Sequence, residues 1–357
     1  MYVRWSAGSA RTPGSVLRRR SVVVGGAVAA VVALVGVPGA GAQSVQVPLP
    51  DFAPEPLVTS VATANGSLGE VGEAVDDALR PAAHALHDAT GGLPPELAHL
   101  APPDQRVMDE RQIALDSATA AADATGSRAG ACVVPLDQPE PMQCSGDTLF
   151  MYAASTIKVA VAVAALEKSP DFDRPVEVRD TYAGGVGAGT YAVHDLVHRM
   201  ITVSDNNATN ALIDDAGGFA AVNAISGRVG LGDRFRVGNY MNDPVKRPDY
   251  GRLSSKSGAE YMAELWKSAR GTGSLTSERV ASHVLGVMHR QNVRTKLARD
   301  LPGNEVANKT GETLEVSHDI GVLYTHSGPL AVAVTATGGA PNNAWARVGT
   351  DLVTVGR

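Results

Sequence analysis

The chain has 357 residues, 44% of them hydrophobic, enough for one large or two ordinary globular domains. A formal net charge of −6 supplies no basic face for nucleic acid, and an aromatic content of 4% is thin for a base-stacking or lectin-like surface. The two cysteines stand outside any CxxC or CxxH context, which argues against zinc and dithiol redox chemistry.

At the N-terminus, Arg18, Arg19 and Arg20 precede the apolar run Val22–Val37, then Pro38 and small residues up to Ala42. A positive region, an apolar region and an A-x-A site at Ala40 and Ala42 predict a secretory signal peptide over residues 1–42. Arg19-Arg20 followed by Ser21, Val22 and Val23 also fits a twin-arginine export signal. The apolar run is short for a membrane span and carries Gly25, Gly26 and Gly36, so no stable span is expected after cleavage. The mature protein is expected outside the cytoplasm, secreted or in the cell envelope, where a disulfide is permitted. Cys132 and Cys144 flank the turn-rich VVPLDQPEPMQ between two strand-like runs. They fit a bridge across a hairpin, and equally two buried thiols, because sequence does not give the Cα separation.

Residues 43–106 are proline-rich and read as a linker or arm, with one short helix near Leu68–Thr90. The main domain is expected over residues 107–357. Asp104 after Pro102-Pro103 is placed to cap a helix that Gly126 stops. Strand signals follow near Arg128–Leu136 and Gln143–Tyr152, leading into FMYAASTIKVAVAVAAL (Phe150–Leu166), a run apolar on nearly every helical face and therefore a buried helix. Helical patterns recur near Val193–Thr202, Ala208–Asp215, Phe219–Arg228, Lys256–Arg270 and Ser277–Met288. Strands near Val306–Lys309, Asp319–Thr325 and Leu330–Thr337 and a helix near Ala344–Val355 close the chain. Strands at both ends with helices between them predict an α+β fold: an antiparallel sheet of N- and C-terminal strands flanked by helices, with an all-helical subdomain.

Three short motifs lie in that frame. Ser155 and Lys158 are three apart, so on a helix they share a face; burial can lower the lysine's pKa and let it activate the serine. A capping serine and a snorkelling lysine explain the same pair without chemistry. Ser204-Asp205-Asn206 lies between two helical patterns, where capping would suffice to explain it. Lys309-Thr310-Gly311 ends a strand-like run in which Lys309 and Gly311 share one face, and a glycine there lets a ligand lie close to the backbone. The glycine-rich Ala183–Gly189 lacks the Lys-Ser/Thr of a phosphate loop and reads as a mobile connection, and His194 and His198 lack the Glu of a zinc-protease helix.

SxxK, SDN and KTG in this order resemble the penicillin-recognising active-site serine enzymes. The surrounding MITVSDNNATNALID and VANKTGE with HDIGVLYT are similar to the class A serine β-lactamase family, over roughly Val107–Arg357. The resemblance implies a β-lactamase/transpeptidase-like fold, no cofactor or metal, a small-molecule β-lactam or cell-wall peptide as substrate, and a monomer. It implies that Ser155 is the nucleophile, Lys158 the proton acceptor and relay, and Ser204 the donor towards the leaving nitrogen. Asn206 would bind the acylamide side chain, and Lys309 and Thr310 the substrate carboxylate. The backbone N–H groups of Ser155 and Glu312 would form the oxyanion hole.

Two departures stand out. The family's deacylating Glu has no counterpart, since Gly217 to Ala259 contains none; NYMNDPVKRPDY offers Asp243, with Asp249 the other carboxylate. His318 stands where many members place a carboxylate-binding Arg. The expected activity is a secreted β-lactam-opening serine hydrolase, with a D-Ala-D-Ala peptidase or a non-turnover β-lactam sensor as alternatives.

Overall fold

The structure, a computed structural model, describes residues 104–357 apart from 139, 147, 180, 243–250, 339–340 and 357, together with the backbone of 17–24 and 27–34. The chain divides into two compact units, Met1–Pro102 and Pro103–Arg357. In the first, β1 (Leu17–Val24) pairs antiparallel with β2 (Ala27–Leu34). The helix expected near Leu68–Thr90 lies outside the described residues, as does most of the expected signal peptide and arm.

The second unit opens with α1 (Gln105–Asp123), whose N-cap Asp104 accepts hydrogen bonds from the backbone N–H groups of Arg106 and Val107. Such a cap is worth about 1 kcal/mol. Then come β3 (Arg128–Pro135), β4 (Gln143–Gly146) and the two-residue β5 (Met151–Tyr152). The second expected strand is thus broken in two. The apolar segment follows as a 3₁₀ turn, Ala154–Ile157, and α2 (Lys158–Glu167). Every residue of α2 from Lys158 to Leu166 is buried, as its apolar composition requires.

Two short strands, β6 (Pro175–Val178) and β7 (Gly189–Ala192), were not legible in the sequence; they pair antiparallel on either side of the glycine-rich loop. The helical part continues with α3 (Val193–Thr202), α4 (Asn206–Ala216) and α5 (Phe219–Gly227). After the two-residue β8 (Arg252–Leu253), which pairs with β5, come α6 (Ser255–Ala269) and α7 (Glu278–Met288). The chain closes with β9 (Val306–Glu312), β10 (Val316–Thr325), β11 (Gly328–Thr337) and α8 (Asn342–Thr354).

The five-stranded sheet has the order β4-β3-β11-β10-β9, antiparallel throughout. This is the expected α+β order, with early strands joined to late ones. Alternation sends one set of side chains, including Val133, Val332, Val334 and Leu323, into a core with Leu115, Trp345 and Leu352 of α1 and α8. The other set, including Cys132, Ala333 and Ile320, packs into the helical core around α2. Burying each such Val, Leu or Ile contributes about 1.5–3 kcal/mol before chain entropy is counted. Cys132 stands directly opposite Cys144 and the two are joined in a disulfide, which ties edge strand β4 to β3. Of the two alternatives left open by sequence, the bridge is the one found. Among the described residues, no helix is long and apolar enough to cross a membrane.

Candidate active site

Strand β9 forms the sheet edge beside the 3₁₀ turn, and Gly311 is where they meet. A Cβ on Gly311 would stand 2.9 Å from Thr156 Cγ2, 3.0 Å from Thr156 N and 3.1 Å from Ala153 O. Its missing side chain therefore serves the approach of the strand to the Ser155 turn, not of a ligand to the strand. This contact sets Ser155 and Glu312 at the same junction. Ser155 is half-buried on the turn, and Lys158 begins the α-helix one turn later; the two are not on one α-helix as the spacing suggested.

Lys158 is 0% exposed. Its Nζ donates to Ser204 O at 2.6 Å, Ser204 Oγ at 3.0 Å and Asn206 Oδ1 at 2.6 Å. Burial holds its pKa well below the usual lysine value; nearby Lys309 adds to the depression and Asp205 opposes it. Lys309, also 0% exposed, donates to Ser204 Oγ at 3.2 Å and Thr310 O at 2.8 Å. Burial lowers its pKa to about 7, against the opposing pull of Asp319. Ser204 Oγ thus accepts from two amines, which uses both its lone pairs and leaves its own proton to be given outward.

The SDN segment is held by its own side chains. Asp205 caps α4 through Ala208 N at 3.0 Å and accepts from Val186 N at 2.8 Å. Asn207 accepts from Tyr182 N and donates to Tyr182 O and Val186 O. The glycine-rich loop, expected to be a mobile connection, is therefore clamped to the SDN segment. A Cβ on Gly185 would fall 2.5 Å from Asn207 Nδ2. Asn210 similarly brackets Met241 by donating to its carbonyl and accepting from its N–H. Asn206 donates to Asn242 Oδ1 at 2.8 Å.

Among the described residues, the non-glycine positions with positive φ are Ala154 at 46°, Ser204 at 58° and Asn242 at 63°. Each costs of order 1–3 kcal/mol and persists only where its surroundings over-determine it. They precede Ser155, carry the Ser204 hydroxyl and bond Asn206, so the strain collects around these motif residues.

Thr310 is buried beside these groups, on the opposite face of β9 from Lys309. Behind it, Asp319 is fully buried and burial raises its carboxyl pKa to about 6, although Asn308 donates to both of its oxygens at 2.9 Å. Asp319 also accepts from Leu297 N at 3.1 Å, joining the 296–297 loop to the sheet. Lys296, 0% exposed, reaches Glu312 Oε2 at 2.6 Å. Nothing in the sequence assigns a role to Lys296 or Asp319; the pairing of β10 with β9 sets Asp319 opposite Thr310, and the loop before β9 brings Lys296 to Glu312.

The expected ligand role for His318 does not fit its surroundings. Its ring is 0% exposed, its Nδ1 accepts from Ala336 N at 3.3 Å, and its Nε2 therefore carries the proton and donates to Tyr152 O at 2.8 Å. Burial lowers its pKa to about 4, so it stays neutral. It ties β10 to β5 and has no donor left for a carboxylate. Asp243 lies outside the described residues; its neighbour Asn242 is the partner of Asn206.

A buried amine pair donates to one serine hydroxyl, and a second serine stands on a turn opened by a positive-φ residue, all on an α+β fold. Residues 114–354 match the "Beta-lactamase enzyme family", and the chain belongs to that family. A β-lactamase from Sphaerobacter thermophilus is similar, at 25% identity over 68% of this chain and 94% of that one, with a TM-score of 0.57. PBP-A is similar in fold, at 24% identity over 71% of this chain and 97% of that one, TM-score 0.58. A mutant of PBP-A, captured as its acyl-enzyme complex with penicillin G, matches with a TM-score of 0.58 at 23% identity over 71% of this chain and 97% of that one. No curated protein sequence matches. The fold is β-lactamase/transpeptidase-like, as the motifs implied.

Proposed function

We propose that this protein is an exported serine hydrolase of the class A β-lactamase type, opening β-lactam rings through an acyl-enzyme on Ser155. The observation that carries the reading is the buried Lys158, its pKa lowered and its Nζ bonded to Ser204 and Asn206. Burial of this kind lowers the cost of giving up the ammonium proton, and the neutral amine so formed is the form that accepts a proton.

The chemistry follows from the positions. Ser155 Oγ forms a bond to the lactam carbonyl carbon while its proton passes to Lys158, and the backbone N–H groups of Ser155 and Glu312 receive the developing oxyanion. Each such preorganised donor contributes about 3 kcal/mol to transition-state stabilisation. As the carbon–nitrogen bond breaks, Ser204 Oγ gives its proton to the leaving nitrogen and is reprotonated from the lysine side. Lys309 and Thr310 hold the substrate carboxylate.

Water then has to remove the acyl group, and we assign Asp243 as the base for that step. None of the three acceptors around Lys158 Nζ is a carboxylate. That observation favours a second reading, a long-lived acyl adduct as in a cell-wall peptidase or a β-lactam sensor. Intact mass and hydrolysis, followed together after mixing with a penicillin, separate the two. Hydrolysis without a persistent adduct supports the β-lactamase; a lasting adduct supports the second reading. Ser155→Ala must abolish both signals, and Asp243→Asn must lengthen the life of the adduct. An adduct on Ser155→Ala would refute the assignment of the nucleophile.

A further inference from the structure

The ion pair at the end of β9 plays no part in the acyl transfer just described. Lys296 Nζ sits 2.6 Å from Glu312 Oε2, with the lysine side chain 0% exposed and the glutamate side chain 48% exposed. A buried ammonium needs an anionic partner. Asp319 is near, but its oxygens are engaged by Asn308 and the backbone N–H of Leu297. Glu312 is thus the carboxylate that Lys296 bonds, and it reaches this cation from the solvent side. Side chains two apart on a strand point the same way, so Glu312 lies on the face of β9 that carries Thr310, about 7 Å further along. Thr310 is the position assigned above to the substrate carboxylate. The other cation available, Lys309, already donates to Ser204 and to the Thr310 carbonyl. A free carboxylate held by Lys309 and Thr310 would therefore find Lys296 already paired and a second negative charge beside it.

We propose that Glu312 is a specificity-determining residue, an internal carboxylate that occupies Lys296 and weakens the preference of the site for a substrate carboxylate over a neutral ester or amide. This rests on the acyl-transfer reading of the site. It uses the glutamate side chain and is independent of the backbone N–H assigned to the oxyanion hole.

The test compares a penicillin with its methyl ester on the full-length protein, reading the second-order rate constant of adduct formation by intact mass. The quantity compared is the acid-to-ester ratio. In Glu312→Gln the ratio rises about tenfold, because the like charge is removed and Lys296 is released. In Lys296→Met it falls, because Glu312 is left as an unpaired negative charge. Glu312→Asp keeps the charge and keeps the ratio within about threefold of the parent, which separates charge from side-chain size. A Glu312→Gln ratio unchanged within about twofold, or a rise in Glu312→Asp equal to that in Glu312→Gln, overturns the proposal. If neither compound forms an adduct with the parent protein, the acyl-transfer reading itself fails, an outcome distinct from adducts that form with an unmoved ratio.

Discussion

Replacing Gly311 by alanine adds one methyl group where the sheet edge rests on the nucleophile turn. The new Cβ would stand 2.9 Å from Thr156 Cγ2, 3.0 Å from Thr156 N and 3.1 Å from Ala153 O. Comfortable carbon contacts lie at about 3.5–4.0 Å, so β9 and the turn must part by roughly half an ångström or more. Two of the three atoms are backbone, which cannot swing aside as a side-chain tip can. Overpacking of this kind costs about 1–3 kcal/mol. For a domain of this size, each kcal/mol lowers Tm by about 2–4 °C. The catalytic loss is expected to be larger than the stability loss suggests, because the movement separates the two proposed oxyanion donors. A misplacement near 1 Å costs about 100-fold, so acylation should fall roughly 10- to 100-fold. Gly286→Ala is the internal control: it lies within α7 with no atom within 4 Å of its would-be Cβ. That change should stabilise by about 0.5–1 kcal/mol and leave acylation alone. Thermal melts and adduct-formation rates on both variants decide the matter. A Gly311→Ala protein that melts and acylates like the parent would refute the strand-on-turn argument.

Two further outcomes can be measured. Lys309 has a pKa lowered to about 7, so it loses its positive charge as pH rises through that value. Acylation by a carboxylate-bearing β-lactam should therefore decline above about pH 7, and more steeply than acylation by its methyl ester; parallel profiles would contradict the role given to Lys309. Reducing the Cys132–Cys144 bridge, which closes a loop with a sequence separation of 12, should remove about 3 kcal/mol. A Tm fall of about 6–12 °C under reductant is expected, and no change would show that β4 is held by its other contacts.

The sequence by itself determined the order of the main strands and helices, though not the short β6 and β7, together with the burial of α2 and the three motifs, because apolar periodicity and capping residues act over a few positions. Asp104 announces α1, and a segment without one polar residue from Val159 to Leu166 has nowhere to go but inward. The tertiary structure decided what those residues touch. Lys158 was read as a neighbour of Ser155, yet its bonds run to Ser204 and Asn206, 46 and 48 positions away. His318 was read as facing a ligand, and the pairing of β10 with β11 turned it inward to Ala336 and Tyr152. Lys296 carried no signal at all until the loop before β9 brought it against Glu312. Local spacing fixes which side of a helix or strand a group leaves from; its partner, and with it its charge state, is set by elements that the fold brings in from 16 to 166 positions away.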